Sequence, residues 1–274
     1  MIKKLYNFIR SRSHLSYYIL LFTKNWINPF LTIYINFKFL PFNQAIKFPI
    51  YIYSKTKFLS FKGKIILNVK EVKKGMIKIG QSNDSPCSSG GGTEITNHSI
   101  IKFNGKADIG CGCKILVYNK GEIVFGKNFR MNNQNFIGCC NNITFGEFVN
   151  IAHQTQIFDT DFHYLFNLKS KSTKNNNMPV YIGSYSWIGN RVTIMKGTKI
   201  PDYSIIASNT LLNKKYDTQE GSILAGIPAK ISKENYLRIR NNSMESKLSK
   251  YFEQNENTEY KFPINIDVMK LTKY

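Results

Sequence analysis

The chain has 274 residues, 42% hydrophobic and 20% charged, with 38 Lys or Arg against 17 Asp or Glu, a formal net charge of +21. This composition can fill a sizeable core and excludes a disordered polyelectrolyte. It contains no zinc-type cysteine spacing, no basic region followed by heptads and no RRM-like aromatic signature, so the charge does not by itself point to nucleic acid.

Residues 1–70 contain twelve Lys or Arg and no acid, the first being Glu71. The stretch "SYYILLFTKNWINPFLTIYINFKFLPF" from Ser16 to Phe42 is apolar and aromatic but is interrupted by Lys24, Pro29 and Lys38. Its longest uncharged run, Asn25 to Phe37, falls short of the roughly 20 residues a membrane span requires. It reads as an interfacial or core-packing segment, with residues 1–62 able to meet an anionic membrane surface. No small-residue cleavage site follows it, so the expectation is a cytoplasmic protein, peripheral at the inner face of the membrane. Cys87, Cys111, Cys113, Cys139 and Cys140 are then reduced thiols, and no metal is expected.

A repeat emerges downstream. Faint copies lie at Ile79-Gly80, Ile109-Gly110-Cys111-Gly112-Cys113 and Phe125-Gly126, and the register becomes clear at Phe145, Ile151 and Ile157. It breaks over "FDTDFHYLFNLKSKSTKNNNMP" and resumes with an aliphatic residue at Ile182, Ile188, Ile194, Ile200, Ile206 and Leu212. Small or β-branched residues follow each by four (Ser186, Val192, Thr198, Ser204, Thr210), and Gly183 and Gly189 follow two of them directly. A helix repeats near 3.6 and a half-buried strand near 2. A period of six instead suits short flat strands forming the sides of a triangular solenoid, the aliphatic residue inside, the small residue at the corner and glycine tolerating the bend. An ordinary β-sandwich would have to produce six consecutive matches by chance.

The segments "WIGNRVTIMKGTKI" and "GSILAGIPAKI" resemble the hexapeptide-repeat acyltransferases, in particular the maltose, galactoside and capsule O-acetyltransferase branch. The resemblance covers roughly Lys64 to Ile231 and is strongest from Phe145 onward. It implies an all-β fold, a left-handed parallel β-helix, acetyl-CoA as acyl donor, and a homotrimer with sites between neighbouring subunits. "FKFLPFNQAIKFPIYIYSKTKF" is similar to the amino-terminal segment of polysaccharide-cluster members. The expected organisation is a basic aromatic segment (1–63), the β-helix (64–231) with an extruded loop (158–179), and a helical cap and tail (232–274).

The loop carries Asp159, Asp161 and His163 in "DTDFH". Acyl transfer from a thioester to a hydroxyl requires a base for the departing proton, and a neutral imidazole serves near pH 7. A carboxylate two residues away could orient the ring, so Asp161 is assigned that role. The resemblance makes His163 the general base and places the backbone N–H that meets the oxyanion at Asn190. It also assigns Trp187 to the thioester wall and Ser208, Lys214 and Lys230, with Asn190, to coenzyme A. Where the family reads Gly-Ala-Gly-Ser, this chain reads Ala207-Ser208-Asn209-Thr210.

His153 falls at a variable hexad position and reads as a surface residue, and His14 and His98 have no acidic or nucleophilic company. His153 and His163 are ten residues apart, without the close pair a zinc hydratase of this fold uses. No cysteine has a histidine beside it in sequence, which favours direct transfer over a covalent acyl intermediate. The expected activity is O-acetylation of a sugar hydroxyl on a bacterial surface polysaccharide or its precursor. The alternatives are a sugar-nucleotide N-acetyltransferase, or a non-enzymatic β-helical membrane- or glycan-binding protein.

Overall fold

The computed structural model describes residues 26–53, 55–82, 91–118, 120–256 and 258–272. Along the chain, strands are dealt in rotation onto three sheets, so that every third strand stacks on the same face. Among the described residues face one has nine strands, face two seven and face three six, paired in parallel except for the last strand of face one. The result is the left-handed parallel β-helix that the resemblance implied.

The period of six matches the stacking residue for residue. Ile151, Ile188 and Ile206 lie one above the other on face one, and Ile157, Ile194 and Leu212 do so on face two. On face three Phe145, Ile182 and Ile200 align. All nine are at most 2% exposed, as are the small corner residues Ser186, Val192, Thr198, Ser204 and Thr210. Each buried aliphatic side chain contributes roughly 1.5–3 kcal/mol. Lower in the stack, Phe125 and Phe145 lie parallel with centroids 5.5 Å apart, and Phe103 adds a third ring at 5.1 Å.

Gly183 and Gly189 do a different job from the one expected, although Gly112 (φ 73°) and Gly197 (φ 75°) do stand at bends. The bend is taken by the residue three after the aliphatic one, which adopts left-handed backbone even with a side chain: Tyr185 (φ 59°), Arg191 (53°), Tyr203 (57°) and Asn209 (57°). Gly183 is required by the next turn instead, because a Cβ there would stand 2.3 Å from the carbonyl carbon of Pro201. At Gly189 a Cβ would lie 2.8 Å from the carbonyl oxygen of Ile206.

The solenoid begins at Ile50–Ile52 and Lys57–Ser60, ahead of the expected start at residue 64. These first strands escape the sequence pattern because corners of unequal length separate them, which destroys the period of six. Helix α1 (Pro29–Phe39), capped by Asn28 and followed by the short α2 (Phe42–Ala45), covers this end. The inward side of α1 carries Ile35 into the core together with two polar residues, Thr32 and Asn36. Asn36 donates to Ile50 O (2.7 Å) and accepts from Ile50 N–H (3.1 Å), while Thr32 Oγ1 accepts from Ile52 N–H (3.1 Å). Two polar residues one helical turn apart thus satisfy the open edge of the first strand.

At the other end, Lys230–Lys233 folds back antiparallel on Ile223–Ala225. The tail then returns along the solenoid rather than capping it. Arg240, 2% exposed, donates to Tyr185 O at 2.7 Å, and helix α3 (Asn242–Gln254) buries no residue. Helix α4 (Val268–Thr272) meets this return through Arg240 N–H, bonded to Leu271 O at 2.7 Å. Among the described residues no helix is long and apolar enough to cross a membrane.

Gly183→Ala is expected to destabilise the protein by about 1–3 kcal/mol, since the clash is with backbone that cannot rotate away. Gly91→Ala, whose Cβ would meet nothing within 4 Å, is expected to leave the melting temperature within error. Thermal unfolding of the two variants checks this.

Candidate active site

After Gln156–Phe158 on face two the chain leaves the solenoid and rejoins it at Val180–Ile182 on face three. The excursion is an antiparallel arm, not a slack loop. Its base is closed by Asp161 N–H to Asn176 O (2.8 Å) and Met178 N–H to Asp159 O (2.8 Å), and its tip by the Phe166–Asn167 and Ser172–Thr173 pair.

A departing strand leaves the turn below without carbonyl partners, and Asp159 supplies the replacement. Its carboxylate is fully buried and accepts Cys140 N–H at 2.7 Å, Asn141 N–H at 2.8 Å and the Cys139 thiol at 3.3 Å. The first of the two aspartates in "DTDFH" is therefore an anchor. Its sequence signal is its position, immediately where the period stops.

His163 stands on the outer side of this base, exposed, its N–H bonded to Asp161 O at 2.7 Å. It lines a cleft of about 430 Å³ with Asp161, Lys174, Asn175 and Lys196 among its walls. Asp161 does not turn its carboxylate to the ring: Oδ2 pairs with Lys196 Nζ at 2.6 Å, and that ammonium also reaches Asn175 O at 3.3 Å. Asp161 thus meets His163 through its backbone carbonyl while its carboxylate holds Lys196, a residue that sequence reading passed over because it occupies an ordinary variable hexad position. Beside it Phe162, at φ 59°, sets its ring 5.6 Å from Phe158 and 6.2 Å from Tyr118, an aromatic wall over Gly138. A Cβ on Gly138 would lie 2.9 Å from both phenylalanine rings.

The residues expected to hold the acyl donor form a second group. Asn190 and Ser208 are stacked at the corner between faces one and two, where Asn190 N–H donates to Ser208 Oγ at 3.2 Å and Asn190 Oδ1 accepts from His153 N–H at 3.4 Å. Half-buried His153 therefore sits directly beneath Asn190. Trp187 lies on face one, 39% exposed, with the Arg238 guanidinium 4.7 Å over its ring. Lys230 is exposed opposite Ala225 near the same corner. Lys214 is not with them; it lies at the corner between faces two and three, its ammonium 5.5 Å from the Tyr216 ring. The whole width of face two separates Asn190 from the arm that carries His163. Six residues lead from Thr155 at one corner to Asp161 at the other, roughly 20 Å at the rise of an extended strand.

The thiols are poor nucleophiles. Burial pushes Cys113 up to about 12, and burial followed by the Asp159 charge raises Cys139 and Cys140. Burial also raises Cys111; Cys87 lies outside the described residues. Among the described residues no group of three or more His, Cys, Asp or Glu is arranged to hold a metal ion.

No family model matches the sequence. Over 149 residues it is 28% identical to WbbJ of Escherichia coli K12, named as a lipopolysaccharide biosynthesis O-acetyl transferase, covering 51% of this chain and 74% of that protein. It is 32% identical over 104 residues to the polysialic acid O-acetyltransferase of Escherichia coli O1:K1, covering 38% of this chain and 33% of that enzyme, so it spans only about a third of that relative. The crystal structure of the polysialic-acid-specific acetyltransferase NeuO aligns with 75% of this chain and 98% of its own at 20% identity, TM-score 0.42.

Asp159→Asn is expected to weaken the anchor by about 1.5–3 kcal/mol, because an amide offers one acceptor oxygen where the carboxylate offers two to charge-assisted bonds. With the negative charge gone, Cys140 should also alkylate faster at fixed pH, since that charge helps to keep the thiol protonated. Denaturation midpoints and a timed iodoacetamide reaction resolved by peptide mass check both effects.

Proposed function

We propose that this hexapeptide-repeat acetyltransferase moves an acetyl group from acetyl-CoA to a sugar hydroxyl of a bacterial surface polysaccharide or its precursor, with His163 as general base. The observation that carries this reading is the clamped arm. It holds one exposed imidazole in an open cleft at a corner of a rigid solenoid, with Lys196 and Asp161 neutralising each other beside it. The sequence likeness to O-acetyltransferases points the same way.

The neutral imidazole removes the hydroxyl proton as the sugar oxygen attacks the thioester carbonyl. The C–O bond forms, the C–S bond breaks, and the imidazolium returns its proton to the departing sulfur. The aromatic wall of Phe162 and Tyr118 offers a stacking surface for the sugar's C–H face. Coenzyme A supplies the activated acetyl group, and the residues present fit it. Ser208 Oγ and Asn190 N–H already bond to each other and can open toward a carbonyl, exposed Lys230 suits a phosphate, and a Cβ direction at Gly226 is free to 3.5 Å.

Because the donor group and His163 lie on different corners, one chain does not make a complete site. A homotrimer that sets the arm of one subunit against the Asn190–Ser208 corner of the next completes it. The raised thiols favour direct transfer over an acyl-cysteine route.

A second reading concerns placement, and α1 favours it. With Thr32 and Asn36 turned inward, Phe30 (85% exposed), Ile33, Tyr34 and Phe37 line the outward side, continued by Phe42 (73%) on α2. Aromatic side chains flanked by Lys38, Lys47 and Lys62, in a region without acids, suit the surface of an anionic bilayer. The protein would then work peripherally at the inner face of the membrane.

His163→Ala is expected to lower kcat by about 10² to 10⁴-fold while leaving the melting temperature and coenzyme A binding unchanged. His98→Ala, at the same corner but three turns lower in the stack, serves as the control. A thioester-cleavage assay with acetyl-CoA across hydroxyl and amine sugars reads the loss and the acceptor; retention of more than about a tenth of turnover would exclude His163 as the base.

Light scattering is expected to give a trimer. Co-refolding His163→Ala with Ser208→Trp chains, each inactive alone, is expected to restore activity through mixed sites, and failure to do so counts against a site shared between subunits.

Flotation with anionic vesicles at low salt is expected, with loss at high salt and in Phe30→Ser/Phe37→Ser. If anionic vesicles are ignored, the outward side of α1 is not a membrane-binding surface.

A further inference from the structure

The corner between faces three and one carries charge that changes sign along the solenoid. In its upper turns it presents Glu147, Asp202, Asp217 and Glu220. In its lower turns it presents Lys70, Lys73, Lys74, Lys106 and Lys127, with Lys78 on the adjoining strand. The basicity is therefore local and does not follow from the overall charge of +21.

The lower half is also concave. In the turns between Ile100–Phe103 and Ile205–Ile206 this corner is crossed in three or four residues, but between Lys64–Leu67 and Ile77–Gln81 residues 68–76 are inserted. The insertion is held in place: Gly75 N–H bonds Phe48 O at 3.0 Å, and the left-handed backbone of Gly75 (φ 61°) brings it so close to the Tyr51 ring that a Cβ would stand 2.7 Å away. The wall so formed encloses a groove of about 870 Å³ with Lys106 and Lys127 opposite. The floor includes Val69 and Met76, and the amides of Asn68 and Asn104 join across successive turns at 3.2 Å. Among the described residues of the lining Glu71 alone is acidic, paired with Lys73 at 3.1 Å at the surface, while Lys106 reaches Asp108, outside the lining, at 3.8 Å.

We infer that this groove is a binding site for an anionic polysaccharide, holding the acceptor chain away from the point of acetylation. The inference rests on the proposed function for its biological meaning but not for its binding chemistry. Lys106 and Lys127 occupy successive turns about 4.8 Å apart, so they offer a row of point charges to carboxylates along an extended chain. Asparagine amides suit hydroxyl and acetamido groups, and the Val69–Met76 floor suits the C–H face of a sugar ring. The lining has no aromatic residue on which bases could stack, which disfavours a single-stranded nucleic acid. A recessed groove also presents nothing that could insert into a bilayer.

The test compares the full-length wild type with Lys73→Glu/Lys74→Glu/Lys127→Glu and with a charge-matched control on the tail, Lys247→Glu/Lys250→Glu/Lys261→Glu. Binding is measured by titration calorimetry at low salt with polysialic acid as polyanionic probe, neutral dextran, anionic phosphatidylglycerol vesicles and a single-stranded oligonucleotide. The expected result is binding of polysialic acid but not dextran, weakened roughly a hundredfold in the groove variant and little in the control.

In the acetylation assay the groove variant should raise KM for polymer acceptors while leaving single-sugar kinetics unchanged. Equal weakening in both variants, unchanged affinity in the groove variant, or preference of the groove for vesicles or oligonucleotide would overturn the inference. Polyanion binding in a protein that acetylates no sugar would leave the groove standing and overturn the proposed function instead.

Discussion

Parallel strands hydrogen-bonded in register must stack at about 4.8 Å, and nearly every feature of this protein follows from that spacing. A side chain at a given position meets the equivalent side chain of the next turn, so the interior is built of ladders: Ile151, Ile188 and Ile206 on one face, Ile157, Ile194 and Leu212 on another. At the corners the spacing is tight enough that Gly183 cannot carry a Cβ beneath Pro201, whereas left-handed backbone is accepted at Tyr185 and Tyr203 because their rings stack outward, 4.8 Å apart and nearly parallel. At Gly183 and Gly189 glycine is a matter of clearance between turns more than of torsional freedom.

The same ladder makes any departure costly. Where the chain leaves face two, the amides of Cys140 and Asn141 would be orphaned in a dry interior, and Asp159 replaces the lost acceptors with one carboxylate. That replacement fixes the base of the arm, and the arm fixes His163. A rigid base beneath an exposed imidazole is what a site needs to hold a catalytic group in one geometry. Two aspartates two residues apart thus have different partners: Asp159 holds the backbone of the turn below, and Asp161 holds Lys196.

The open ends of the stack pose the converse problem, a strand edge with no partner. At the amino end α1 meets it by turning Thr32 and Asn36 inward beside core residue Ile35, while Phe30, Ile33, Tyr34 and Phe37 stay outward. At the carboxy end the last strand doubles back, and Arg240 returns the tail to the backbone of Tyr185 and Ser186. One end is consequently apolar and basic. The corner between faces three and one, running between the two ends, is basic low in the stack and acidic high in it.

The sequence by itself determined the solenoid, because a period of six is a local property that each turn repeats: the aliphatic and small positions from Phe145 to Leu212 could be assigned without coordinates, and so could the site of the arm, where the period stops. The family likeness likewise brought out His163. What the sequence left undecided depended on which turn lies above which. The first strands at Ile50 and Lys57 lacked the period, Asp159 and Asp161 looked alike in "DTDFH", and Lys196 looked like any variable hexad residue. Only stacking brought Asp159 under two amides eighteen and nineteen residues away, set Lys196 against Asp161, and separated Asn190 from His163 by the width of a face. Contacts along the chain are written in its pattern; contacts between turns depend on corner lengths, which vary from two residues to twelve and carry no period of their own.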